Sequence, residues 1–229
     1  MFPVGMGLAG AALATAISPA VSMAVCLLHY LSDKNTIRLV RKIPSLRKLT
    51  TACILGVAAY GIVANLALVG TALFNGLSQG LQPLASTIHG KWDLDGEKRI
   101  YRHSLQIGIG IAFFLVAIVV LFADSLVAIF NHENSAVLAS YAQQGLRLYF
   151  LGFLVASVNI VRAGFYSATG KGLLSSAISL SRGVVAIVVF AFVLSKMLGI
   201  TGVWLAFPAA EIFTLALSQI LARTGREKL

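Results

Sequence analysis

Long apolar stretches alternate with short polar ones along the whole chain, and the lengths of the apolar stretches set the frame. A helix needs about 20 consecutive apolar residues to cross a hydrocarbon core. Six runs meet that length: Val4 to Leu31, Thr51 to Ile88, Ser104 to Ala123, Gln144 to Tyr166, Leu173 to Leu194 and Gly199 to Leu221. Short polar connections such as Asn131-His132-Glu133-Asn134-Ser135 separate them. The pattern predicts an all-α, polytopic transmembrane helical bundle forming a single domain over residues 1–229. The first run is too long for a secretory signal peptide and lacks a basic leader, so it reads as a span.

Composition agrees with this reading. Hydrophobic residues make up 58% of the chain and charged ones only 11%, with a mean hydropathy of +0.88. Soluble domains carry about a quarter charged residues. Disorder is excluded by the apolar content, and a disulfide-stapled domain by having only Cys26 and Cys53, both in apolar runs. The net charge of +10 would point to nucleic acid in a soluble chain. Here the cations sit between spans: Lys34 to Lys48 in one stretch, Lys91 to Arg102 in a second, and Arg223, Arg226 and Lys228 at the C-terminus. No aromatic side chains interleave with them to stack bases, so no nucleic-acid partner is expected.

Lys and Arg are retained on the cytoplasmic side of short loops. That rule puts both basic stretches, the Gly170-Lys171-Gly172 turn and the C-terminus inside, and the loop around Glu133 outside, in a plasma membrane. From Ser104 onward the spans alternate as required. Upstream they do not, because two basic stretches flank the single run Thr51 to Ile88, and one crossing would put them on opposite sides. The run has no polar interruption, so it reads as one long helix overhanging the bilayer on the cytoplasmic side. A crossing is missing.

Polar side chains inside hydrocarbon are costly and turn toward a cavity or the bundle interior. Asn75, Gln79, Gln82 and Ser86 share one helical face in the second run, beside Gly76, Gly80 and Pro83. They serve either as interhelical hydrogen-bonding groups or as the wall of a wet cavity. In the fourth run Gln144, Arg147, Asn159, Arg162 and Tyr166 fall on one face, with Arg147 and Arg162 also placed to snorkel toward opposite surfaces. Ser175, Ser179 and Arg182 align in the fifth, where snorkelling again suits the arginine. Glu211 is the only acidic residue well inside a span, aligned with Trp204, Thr214 and Ser218. It needs a partner or a proton, so it is either paired with Arg182 or Arg162 or titrating. Asp124 reads as an outer-interface residue.

Enzyme chemistry has no visible signature. His29, His89, His103 and His132 lie at span ends or loops without ligands at metal spacing, so no metal site or cofactor is expected. There is no phosphate-binding Gly-Lys-Ser/Thr loop and no serine elbow.

Several strings are more specific. Val57-Ala58-Ala59-Tyr60-Gly61-Ile62, followed by Phe74-Asn75-Gly76-Leu77-Ser78-Gln79-Gly80-Leu81-Gln82-Pro83-Leu84, resembles the eighth helix of multidrug and toxic compound extrusion (MATE) transporters. Ala163 to Lys171 resembles the end of that family's tenth helix and the following turn, Gly202 to Glu211 its twelfth, and Gly7 to Thr15 the opening of its sixth. The resemblance implies a MATE-like C-terminal-lobe fragment that supplies helix six and helices eight to twelve and lacks the seventh. The absent seventh helix is the crossing that the basic loops also find missing. Members of the family have two lobes of six helices and export cationic drugs or metabolites in exchange for protons or sodium ions.

The function this implies is a cation-coupled antiporter exporting drugs or other small organic compounds, incomplete as this chain. Asn75, Gln79, Gln82, Asn159 and Arg162 would line the lobe cavity, and Glu211 would be the ion-coupling carboxylate. Expected partners are membrane lipid, a small organic cation or drug, and a second lobe or a second copy. Two alternatives stand beside it: a lipid-linked oligosaccharide flippase of the same superfamily, kept open by three intramembrane arginines, and a non-transporting accessory protein or remnant.

Overall fold

The computed structural model describes residues 46–131 and 135–226, with side chains between Ile54 and Arg223. The first predicted run, Val4 to Leu31, and the Gly7 to Thr15 string lie outside the described residues. All described elements are helical: α1 (Leu46–Gly90), α2 (Leu94–Leu121), α3 (Ala123–Phe130), α4 (Ala136–Ala168), α5 (Gly172–Leu180), a π-turn (Ser181–Val185), α6 (Ala186–Leu198) and α7 (Ile200–Arg226). Among the described residues, five segments are long and apolar enough to cross a membrane: Ile54–Gly90, Leu94–Leu121, Ala136–Ala168, Gly172–Leu198 and Ile200–Arg223.

Helix ends depart from the apolar runs in a systematic way. α2 begins at Leu94, ten residues before the run at Ser104, and α4 begins at Ala136 rather than Gln144. Hydropathy marks the immersed part of a helix, whereas caps mark its ends. Asp93 starts α2 by accepting a hydrogen bond from Gly96 N at 2.9 Å, and Ser135 starts α4 by accepting from Leu138 N at 3.4 Å. α3 is a short helix that no run predicts. Thr51 to Ile88 lies within one helix of 45 residues, about 68 Å long at 1.5 Å per residue and over twice the hydrocarbon thickness. Pro83 sits inside it without ending it.

α4 is the central helix. It packs on α2, α5 and α7, and it meets α1 through the Phe74–Phe153 stack (5.9 Å) and the bond from Ser78 Oγ to Ile160 O (3.4 Å). Leu146, Phe150, Phe153, Ala156 and Ile160 are buried along it, with Ile62, Val63 and Ala67 of α1 and Val116 of α2 in the same core. Glycine makes the close approach to α7 workable. A Cβ at Gly145 would strike the Trp204 ring, and one at Gly152 the Phe207 ring and the Pro208 backbone. Gly145, Gly152 and Asn159 recur every seven residues, so the groove receiving α7 leads straight to Asn159.

The outer surface is apolar. Leu68, Leu73, Phe113, Phe114, Val188, Val189, Phe213 and Ile220 are exposed, as expected of helices facing lipid. Because consecutive spans run antiparallel, Lys91, Lys98, Arg99, Arg102, Lys171 and Arg223 gather at one end of the bundle. Trp204 and Asp124 lie toward the other.

Candidate functional site

Glu211 of α7 is 1% exposed and its carboxylate is fully occupied. Arg182 donates from Nη2 to Oε1 at 2.7 Å and from Nε to Oε1 and Oε2 at 3.0 and 3.4 Å. Asn159 Nδ2 donates to Oε2 at 2.8 Å and to the Glu211 carbonyl at 2.9 Å. Three membrane-length helices thus converge on one carboxylate, through α4, the π-turn and α7. The carboxylate–guanidinium pair is the fork geometry that arginine favours, and at this depth it removes an otherwise prohibitive isolated charge.

The local backbone explains how Arg182 reaches. Ser181–Val185 forms a π-turn, with Ala186 N bonding back five residues to Ser181 O. Such turns insert a residue into a helix and recur at functional sites. Here two successive residues engage neighbouring side chains of α7: Ser181 Oγ lies 3.1 Å from Thr214 Oγ1, while Arg182 takes Glu211. A regular 100° wheel instead selects Ser179 alongside Arg182, and Ser179 is exposed.

One helical turn nearer the basic end lies a second polar group. Arg162 is buried, donating from Nη1 to Ser218 Oγ at 2.6 Å and from Nε to Tyr101 Oη at 3.1 Å. The snorkelling expectation for Arg162 and Arg182 is therefore corrected, since both turn inward to named partners. Tyr101 belongs to α2 and gives no motif in the sequence that would have singled it out. Arg147 meets Asp124 at 3.4 Å on the exposed far end, and Gln144 donates to Thr201 Oγ1 at 3.2 Å.

Of the expected cavity residues, Asn159 and Arg162 lie with Glu211, the expected coupling carboxylate, along one buried strip of the α4–α7 interface. Asn75, Gln79 and Gln82 do not join them. Asn75 and Gln79 are exposed on α1, and Gln82 is half-buried. Within the strip, Asn159 Oδ1 is buried without a hydrogen-bond donor among the described residues, as is Trp204 Nε1 without an acceptor. Among the described residues no cluster of His, Cys, Asp or Glu could hold a metal ion.

A bundle of membrane-length helices with a charged network at its centre defines a polytopic integral membrane protein. The chain belongs to the MatE family, whose profile matches residues 55–193. It is 26% identical over 177 residues to the multidrug export protein MepA of Staphylococcus saprophyticus, covering 76% of this chain and 38% of that protein. MepA of Staphylococcus haemolyticus gives 26% over 178 residues, 76% and 37%. The chain thus spans less than two fifths of the length of these curated relatives.

Solved structures agree on the fold. An outward-facing multidrug resistance MATE family transporter of the MOP superfamily superposes with a TM-score of 0.69 at 20% identity, over 74% of this chain and 38% of that one. A MOP superfamily transporter from Pyrococcus furiosus, described as having a binding pocket of reversed polarity that suggests a different function, gives 0.67 at 19% identity, over 97% of this chain and 57% of that one. These relatives are named as export proteins and transporters.

Proposed function

We propose that this chain is one lobe of a cation-coupled exporter of small organic compounds, with Glu211, Arg182 and Asn159 as its ion-coupling site. The observation that carries the reading is the Glu211 carboxylate, buried at mid-span with every oxygen contact supplied by Arg182 and Asn159. A proton or sodium ion arriving at Glu211 competes with the guanidinium for the same oxygens. Its binding frees Arg182, which sits on a π-turn that can relax to regular helix. Asn159 Oδ1, on the other branch of the same amide, is a buried hard oxygen with no donor among the described residues, suited to a water or a cation. Ion entry is thereby linked to the packing of α5, α6 and α7.

The exposed stripe of Asn75 and Gln79 supports a second lobe, or a second copy, on that face of α1, since amide side chains at mid-span are costly against lipid. The substrate path runs between the two, lined by Asn75, Gln79 and Gln82. Export proceeds across the plasma membrane, with the basic end and the C-terminus cytoplasmic. The flippase alternative wants unpaired cationic side chains in a cavity. Arg147, Arg162 and Arg182 each have a named partner, which favours the exporter.

The test is flux of a fluorescent organic cation from vesicles under an imposed proton or sodium gradient. Glu211→Gln is expected to lose gradient-driven flux. Removing one partner of a buried pair costs about 3–5 kcal/mol, so the double variant E211Q/R182Q separates the roles. It is expected to recover thermal stability without recovering coupled flux. Full flux in the double variant would remove the pair from the mechanism.

A further inference from the structure

At the basic end a cavity of about 480 Å³ opens between the start of α2, the end of α4 and the start of α5. We propose that it is a binding site for the headgroup of an anionic phospholipid. The site lies apart from the Glu211 network, and the proposal does not rest on transport.

Two cations stand on it, Lys98 and Lys171, both exposed. Lys171 is fixed by the turn that ends α4: Gly170 takes φ +74, and Lys171 N then donates back to Tyr166 O at 2.8 Å. The next residue begins α5, which has no side-chain cap, and Gly172, Leu173 and Leu174 of its first turn line the same opening. Glu97 also lines the cavity, but His89 Nδ1 holds its Oε1 at 2.7 Å. Asp95 is drawn off by Lys98 itself at 3.3 Å, an exposed pair of little strength. A second groove adjoins it, lined by Asp95, Lys98, Arg99, Arg102 and His103, and it extends the positive field.

The remaining walls choose a lipid over a soluble phosphate. Leu94, Phe165, Leu173 and Leu174 line the cavity, and Leu173 is 90% exposed. An exposed leucine beside two lysines at the end of a membrane span offers a footing for acyl chain directly below a phosphate. Trp92, exposed at the same end, is the residue type that settles at headgroup depth. Basic pockets between helices at this level are suited to anionic headgroups.

The experiment is lipid titration of the purified full chain in detergent, with bound lipid per chain read by native mass spectrometry. Phosphatidylglycerol is expected to bind and phosphatidylcholine of the same chain length not to. Each lysine is worth about fivefold near an anionic surface, so K98Q/K171Q is expected to weaken phosphatidylglycerol by about 30-fold. K196Q, at the opposite end, is expected to leave it unchanged. Equal binding of the two lipids, unaltered binding by K98Q/K171Q, or an equal loss in K196Q would each overturn the site. Displacement of the lipid by an equal concentration of inorganic phosphate would overturn the lipid in favour of a soluble anion.

Discussion

The Arg162 side chain shows how much a single residue in the membrane depends on its partners. Its guanidinium is held by Ser218 and Tyr101. Hydrogen bonds to charged groups are worth about 1.5–3 kcal/mol. Ser218→Ala is therefore expected to lower the melting temperature of the detergent-solubilised protein by several degrees, and Ser86→Ala, whose exposed hydroxyl bonds only its own helix at Pro83 O, by little. An equal shift for both would mean that Arg162 gains nothing from Ser218. From the sequence, the inward polar residues Asn159, Arg162 and Glu211 were legible because few polar groups occur in apolar runs. Arg182, Thr214 and Ser218 were legible with them, but Tyr101 and Ser181 were not. Serines, threonines and tyrosines are common in spans, and nothing in their spacing distinguishes Tyr101 or Ser181 from a neighbour exposed to lipid.

Among the elements, the α4–α7 contact depends on glycine where ordinary packing would depend on bulk. Gly145 and Gly152 accept Trp204 and Phe207, and overpacking such a contact costs about 1–3 kcal/mol. Gly152→Leu is expected to destabilise the bundle by that amount and to disturb Asn159 two turns on. Gly110→Ala, with nothing within 4 Å of the added Cβ, is expected to be neutral. Thermal unfolding followed by size-exclusion chromatography reads both; equal destabilisation would show that the glycine groove is not what holds the two helices together. Apolar runs located the five spans described here, because burial in lipid demands continuous hydrophobicity. The helical termini escaped, since Leu94 to His103 of α2 is polar yet helical, and the π-turn escaped because it changes the backbone period and not the composition.

For the whole molecule, alternation of the spans brings the basic residues of α2, the Gly170-Lys171-Gly172 turn and Arg223 to one end. That arrangement predicts topology. In a chain without Cys26 and Cys53, a cysteine at Lys98 or Lys171 is expected to react only with reagents that cross the membrane, and one at Ser135 with impermeant reagents outside. Labelling of Lys98 and Ser135 positions from the same side would contradict the orientation. The family was legible from ordered strings spread over most of the chain, and the matched profile over residues 55–193 bears it out. A second lobe or second copy was expected from the resemblance alone; the exposed Asn75 and Gln79 add only that this face of α1 is costly against lipid and do not identify what would cover it.

Gradient-driven export is the central claim, and flux from proteoliposomes tests it most directly. The full chain, reconstituted alone and together with a second MATE lobe, is loaded with a fluorescent organic cation and given an inward proton or sodium gradient. Flux that follows one of the two gradients, requires the second lobe or chain density high enough for pairing, and disappears in E211Q/R182Q is the predicted result. Flux absent under both gradients with either partner, or retained in the double variant, would contradict it.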